Sequence, residues 1–157
     1  MENKIAEILI KKGLTIAAAE SCTGGLLSSK LTDVSGSSAF VHLNLITYAN
    51  EAKHKMLGVS NETLETFGAV SEQCASEMAE GLYKLTGADI CVSITGIAGP
   101  AGGSVEKPVG LMYSAIYTKD RKKVYKIQLP SDIDRISMKQ KFVEMVLNNI
   151  YTFISFV

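Results

Sequence analysis

The chain has 157 residues, 46% of them hydrophobic, and 16 basic side chains balance 16 acidic ones. That length suits a single domain spanning residues 1–157, able to bury roughly two thirds of its unfolded surface, and the charge balance gives no footprint for nucleic acid or a membrane surface. The expected partner is a small molecule. Cys22, Cys74 and Cys91 lack Cys-x-x-Cys spacing and are odd in number, no 18-residue apolar run exists, and Met1-Glu2-Asn3-Lys4 opens an amphipathic segment in place of a signal peptide, so a reducing, cytoplasmic setting is expected.

Ile5, Ile8 and Leu9 at helical spacing predict a helix over residues 2–12, closed by Gly13. The apolar run Leu14 to Ala19 reads as a strand that breaks into the turn Glu20-Ser21-Cys22-Thr23-Gly24-Gly25, and residues 25–33 restart as a helix carrying Leu26, Leu27 and Leu31. Phe40 to Tyr48 is a second strand. Asn50 is the expected N-cap of a helix reaching Leu57 and closed by Gly58, and Ser71 the cap of another with Cys74, Ala75, Met78, Ala79, Leu82 and Leu85 on one stripe. Ile90 to Ile94 is a third strand. Residues 109–117 and 123–129 form a hairpin, and Pro130 to Asp134 starts a long last helix with Ile136, Val143, Val146, Leu147, Ile150 and Ile154 inward. Helices alternating with five strands give an α/β layered domain with a mostly parallel sheet and one antiparallel member at the hairpin. Ligands of such sheets bind beyond the carboxyl ends of the strands, where both glycine-rich loops and Asn50 lie.

Ser21 stands at a strand-to-helix junction, where backbone N–H groups and a positive helix end stabilise developing negative charge. A hydroxyl needs a base to become a nucleophile. His42 falls inside a strand and His54 on another helix face than its neighbour, so the base proposed by the pattern is Lys53, a cation in a first helical turn that opposes the macrodipole. The dipole alone contributes about 1 kcal/mol, whereas bringing a lysine near neutrality takes roughly 3 to 5 kcal/mol, so desolvation must supply most of the shift. Cys22 is the rival nucleophile, although adjacent residues leaving a strand point in opposite directions and only one can face the crevice. Cys74 and Cys91 are assigned to packing, and no His, Cys or carboxylate group has metal-ligand spacing. Five of the 13 glycines lie between positions 96 and 110, and the loop Thr95-Gly96-Ile97-Ala98-Gly99-Pro100-Ala101-Gly102-Gly103-Ser104 reads as a phosphate cradle, though it matches neither the Walker A nor the dinucleotide pattern.

Taken in order, Ala19-Glu20-Ser21-Cys22-Thr23-Gly24-Gly25, Gly36-Ser37-Ser38, Thr47-Tyr48-Ala49-Asn50-Glu51-Ala52-Lys53, Gly68-Ala69-Val70-Ser71, Ser93 to Pro100, Gly102-Gly103-Ser104 and Lys107-Pro108-Val109-Gly110 resemble the CinA C-terminal-domain family over residues 5–150. The resemblance is to the stand-alone form. It implies a three-layer α/β/α sandwich on a mixed five-stranded sheet, and the deamidation of nicotinamide mononucleotide to nicotinate mononucleotide and ammonia by a Ser-Lys dyad without a cofactor. Carried over by motif, the dyad is Ser21 and Lys53. Tyr48 and Asn50, in the same segment as Lys53, are the expected orienters, Tyr48 counted with the catalytic residues. Thr23, Gly24, Gly25, Ser37, Asn50, Thr95, Gly96, Gly99, Gly102, Gly103 and Ser104 are the expected substrate-binding set. The match departs at the last helix, where family members often carry Gly-Asp-Arg and a second arginine. Here Ile133 and Ser137 fall at those arginine positions and Arg135 is out of register. Two other classes stay open on the residues: a non-catalytic nucleotide-binding module in which Ser21 is a helix cap, and a thiol enzyme built on Cys22. The apolar chain end from Ile150 to Val157 is expected to lie partly in a homodimer interface.

Overall fold

The computed structural model describes residues 1–156. Its elements follow as α1 (Glu2–Lys12), β1 (Ile16–Glu20), α2 (Leu26–Thr32), a 3₁₀ turn (Ser37–Ala39), β2 (Val41–Ile46), α3 (Asn50–Leu57), α4 (Asn61–Thr66), α5 (Glu72–Thr86), β3 (Ile90–Gly96), β4 (Leu111–Tyr117), β5 (Lys122–Gln128) and α6 (Arg135–Ile154). The sheet order is β2-β1-β3-β4-β5. β1 pairs parallel with β2 and β3, while β3 pairs antiparallel with β4 and β4 with β5, so β4 alone runs against the rest.

The strand period of two divides the core. Ile16, Ala18, Ile90, Val92, Ile94, Met112 and Ile116 join the side chains of α1, α2 and α6, whereas Ala17, Ala19 and Cys91 face Met78 and Leu82 of α5. Three layers result, as the resemblance implies. On α6 the fully buried Met138, Phe142, Val146 and Ile150 lie on one helical stripe, each contributing roughly 1.5–3 kcal/mol by burial. Among the described residues no helix is long and apolar enough to cross a membrane.

Several boundaries differ from the expected ones. β1 begins at Ile16 and not Leu14. The backbone remains extended through Ala49, with φ −79° and ψ 152°, which makes Ala49 the N-cap and Asn50 the first helical residue. α4 was not anticipated: with a single apolar side chain, Leu64, it has no periodicity to read, and it forms because the Ser60 hydroxyl accepts from the Thr63 N–H at 3.0 Å. α6 starts at Arg135, not at Pro130, because Asp134 is the residue whose carboxylate caps the helix by accepting from the Ser137 N–H at 3.0 Å. Ile136 is 71% exposed and Leu85 52% exposed, so neither packs inward as expected; Ile136 lies two positions from Met138 and off the buried stripe. At the chain end Ile150, Phe153 and Ile154 are consumed by the protein's own core, and Phe156 is exposed.

Candidate active site

The site is built where β1 gives way to α2. Glu20 and Ser21 follow one another out of the strand, and the alternation that sends Ala18 and Ala19 to opposite faces carries these two apart as well. Glu20, fully buried, points to the α2 side. Its Oε2 accepts from Thr23 Oγ1 at 2.6 Å, Gly25 N–H at 3.2 Å and Leu27 N–H at 3.0 Å, and its Oε1 from the Ser28 N–H at 2.8 Å and Ser28 Oγ at 2.6 Å. The positive end of α2 is therefore occupied by a carboxylate of the chain itself. Gly24 and Gly25, at φ 61° and 100°, supply the left-handed backbone that turns the chain so tightly.

Two expectations change with this arrangement. Ser21 does not cap α2, because Glu20 does. The N–H groups of Gly24 and Gly25 are engaged, by Ser21 O at 3.0 Å and by Glu20, and the Thr23 hydroxyl is bound to Glu20. The N–H groups of Cys22 and Thr23 meet no oxygen acceptor among the described residues, the Cys22 N–H lying beside its own thiol, and they are the donors nearest Ser21 Oγ along the chain.

Ser21 turns instead toward α3. Side chains on a helix lean toward its N-terminus, so Lys53, the fourth residue of α3, reaches back over the end of β2. Its Nζ donates to Ser21 Oγ at 3.0 Å, to the Thr47 carbonyl at 2.8 Å and to the Tyr48 carbonyl at 2.9 Å. Lys53 is 1% exposed and Ser21 8%. Among the described residues no carboxylate pairs with this amine. Burial pushes its pKa below the ordinary 10.5, opposed by the thiols of Cys74 and Cys22. Those thiols are themselves raised by burial, to about 11 and about 12, so at neutral pH both are protonated and offer the lysine no counter-charge. The same positions also suit a neutral amine, whose two N–H groups go to the two carbonyls while the Ser21 contact reverses and the hydroxyl donates to the Nζ lone pair.

Cys22 is buried in the core shared with α2 and α6, on the other face from Ser21. Burial there raises its thiol to about 12, so both its placement and its protonation favour Ser21 over Cys22 as the nucleophile. His42 is on the exposed edge strand and His54 holds the Val59 carbonyl through Nδ1 at 2.7 Å, so neither meets Ser21.

The other expected residues are distributed unevenly. In the register of the sheet Glu20 is level with Ile46 and Ile94, which places Ser21 in one row with Thr47 and Thr95. The Thr95 hydroxyl donates to the Ala69 carbonyl at 2.7 Å and holds the segment before α5 over the site. Gly96 ends β3 where a Cβ would come within 2.9 Å of the Leu111 carbonyl oxygen, so only glycine fits there. Gly99, Gly102 and Gly103 line the loop beyond β3, and Ser104 Oγ accepts from the Lys107 N–H at 3.0 Å within an exposed turn. Asn50 is exposed on α3. Ser37 is the exception. It precedes β2, at the amino end of the parallel strands, while Ser21 lies beyond their carboxyl end; a six-residue strand separates them by roughly 20 Å.

Two cations missing from the expected set stand at the rim. Arg135, read as out of register, donates from Nη1 to the Gly99 carbonyl at 2.6 Å and from Nη2 to Tyr48 Oη at 3.0 Å, so one guanidinium joins the glycine loop to the segment that holds Lys53. Lys139, one turn along the same face of α6, has its Nζ 3.5 Å from where a Cβ on Gly24 would lie. Neither cation is in an ion pair among the described residues. The signal was available: Asp134 followed by a positive charge at helix position one and another four residues later.

The profile of the CinA C-terminal domain matches residues 1–154. The chain belongs to the CinA C-terminal domain family. It is 53% identical over 136 residues to a CinA-like protein of Kosmotoga olearia, covering 87% of this chain and 33% of that one. It is 50% identical over 139 residues to a putative competence-damage inducible protein of Clostridioides difficile, covering 88% and 33%. The chain thus spans about a third of the length of these curated relatives. Among solved structures, the competence/damage inducible protein CihA of Agrobacterium tumefaciens superposes with a TM-score of 0.87 at 42% identity, covering 94% of this chain and 93% of that one. A CinA superfamily protein of Klebsiella pneumoniae superposes with a TM-score of 0.94 at 31% identity, covering 99% and 96%. The mixed five-stranded sheet with helices on both faces is the CinA superfamily architecture.

Proposed function

We propose that this CinA-family chain is an amidohydrolase that converts nicotinamide mononucleotide to nicotinate mononucleotide and ammonia, with Ser21 as nucleophile and Lys53 as base. The observation that carries the reading is the 3.0 Å contact between a buried serine hydroxyl and a buried lysine amine that lacks a carboxylate partner. The substrate follows from the family resemblance, and the rim of the site is consistent with it, since Arg135 and Lys139 provide uncompensated positive charge for a phosphate.

The steps balance on this chain's groups and water. Neutral Lys53 accepts the Ser21 proton as Oγ forms a bond to the carboxamide carbon, and the carbonyl oxygen takes the negative charge. The N–H groups of Cys22 and Thr23 stabilise that oxyanion, each donor contributing roughly 3 to 4 kcal/mol in comparable sites. The C–N bond then breaks, Lys53 returns its proton to the departing nitrogen, and ammonia leaves an ester on Ser21. Water attacks the ester with Lys53 again taking the proton, which it gives back to Ser21 as nicotinate mononucleotide is released. Tyr48 orients the amine through its carbonyl and is itself fixed by Arg135.

The reading of Ser21 as the cap of a binding module loses its basis, because Glu20 fills that position. Ammonia release from nicotinamide mononucleotide, nicotinamide riboside and nicotinamide tests the proposal. The mononucleotide is the expected substrate, and loss of the phosphate contacts lowers kcat/KM roughly 10²-fold for the riboside. No ammonia from the mononucleotide, or equal rates for all three compounds, would overturn it.

A further inference from the structure

Two buried side-chain hydroxyls have no hydrogen-bond partner among the described residues, Thr47 and Ser114. Ser114 lies on β4 between Met112 and Ile116, which face the α6 side of the sheet, remote from the dyad's face. Thr47 is different. It is 1% exposed, its carbonyl accepts from Lys53 Nζ at 2.8 Å, and its N–H continues the β2 ladder to the Glu20 carbonyl at 2.8 Å. Strand alternation places its side chain on the face of Leu45, which packs toward α5, the same face on which Ser21 meets Lys53. A hydroxyl buried without a partner lowers stability, so its retention at the dyad calls for a role in some other state of the site.

The Lys53 amine has such a state. In the resting protein its three partners are the Thr47 and Tyr48 carbonyls and Ser21 Oγ. In the tetrahedral intermediates Ser21 Oγ is bonded to carbon, and the ammonium formed by proton transfer carries a third N–H that needs an acceptor in a dry pocket until its proton moves on. We propose that Thr47 is a positioning residue of the reaction, whose hydroxyl accepts the third N–H of protonated Lys53 while Ser21 Oγ is bonded to the tetrahedral carbon. This deepens the Ser-Lys reading and rests on it. The ionisable groups acting on Lys53 from neighbouring elements are the thiols of Cys74 on α5 and Cys22 beyond β1; both stay protonated near neutrality and cannot take the place of that acceptor.

The Ser21→Ala protein mimics the state in which Ser21 no longer accepts, so the Lys53 titration there isolates the Thr47 contact without any turnover. It is followed by the ¹³Cε resonance of labelled lysine, assigned by its loss in Lys53→Met. Adding Thr47→Val to Ser21→Ala moves the midpoint down by about 0.5 to 1 pH unit, and adding Thr47→Ser leaves it in place. With Ser21 intact, Thr47→Val lowers kcat for ammonia release roughly 3- to 10-fold at unchanged KM, Thr47→Ser restores it, and Tm rises by about 2–4 °C because an unsatisfied hydroxyl is removed. Thr47→Ala serves as a second variant and shifts the midpoint in the same direction. An unmoved midpoint in both Thr47→Val and Thr47→Ala, or equal shifts in Thr47→Val and Thr47→Ser, overturns the inference. Failure of the Ser-Lys reading would show instead as turnover persisting in Ser21→Ala, a result the titration does not depend on.

Discussion

Glu20 and Lys53 are the two buried charge-bearing side chains at the end of β1, and the fold treats them in opposite ways. Glu20 receives five donors from the first turn of α2, so its carboxylate is solvated by the protein as fully as water would manage. Lys53 receives two carbonyls and a hydroxyl and no acid. The difference separates a carboxylate surrounded by donors, which shapes the loop, from an amine kept where burial penalises its charged form, as the proposed base requires. The peptide between Glu20 and Ser21 links them, so the carboxyl group anchored on one face of the sheet positions the hydroxyl that meets Lys53 on the other.

Substitutions around Glu20 and Lys53 differ in both the size and the sign of their effects. Ser21→Ala and Lys53→Met each lower kcat for ammonia release by roughly 10³-fold or more, as removal of a nucleophile or its base does in comparable hydrolases. Glu20→Leu leaves the N–H groups of Gly25, Leu27 and Ser28 buried without an acceptor and destabilises the protein by about 3–5 kcal/mol, measured by urea unfolding. Arg135→Ala removes the tie between Gly99 and Tyr48 and, on the proposed function, a cation for the substrate phosphate, and raises KM for the mononucleotide roughly 10- to 100-fold with a smaller change in kcat. The smallest effect has the opposite sign to that of Glu20. Lys53→Met removes a buried amine and raises Tm by about 2–4 °C while abolishing turnover, and calorimetry checks it.

The same contrast has a pH signature. Burial lowers Lys53 below 10.5, so between its folded value and 10.5 the unfolded chain binds more protons than the native one. Stability contributed by this residue therefore rises with pH through that window, and Lys53→Met flattens the rise. The proposed mechanism needs the neutral amine, so it predicts that kcat falls as pH drops through the lowered Lys53 value.

Much of this was legible because the relevant signals are local. Gly13, Gly58 and Gly87 close helices at left-handed φ, and Ser71 caps α5 by accepting from the Cys74 N–H at 3.1 Å. The meeting of Ser21 and Lys53 could be anticipated from a turn motif and a cation at a helix start, and so could the opposite facing of Cys22. What sequence concealed was which partner each polar group takes. The glutamate beside Ser21 reads as one more turn residue until five donors are found around it. Thr23 reads as a ligand until its hydroxyl is found on Glu20, and Arg135 reads as displaced until the capping by Asp134 sets where α6 begins. The Ser37 placement failed for a topological reason, since a segment preceding a parallel strand sits at the end of the sheet away from the carboxyl-end loops.

In the proposed reaction Ser21 Oγ, deprotonated by Lys53, carries the acyl group. Peptide mapping of a rapidly quenched turnover mixture, run beside Ser21→Ala, tests it most directly. The predicted result is a nicotinoyl ester on the peptide holding Ser21 and no product from the variant. A thioester on Cys22, or product formed by Ser21→Ala at the wild-type rate, would contradict it.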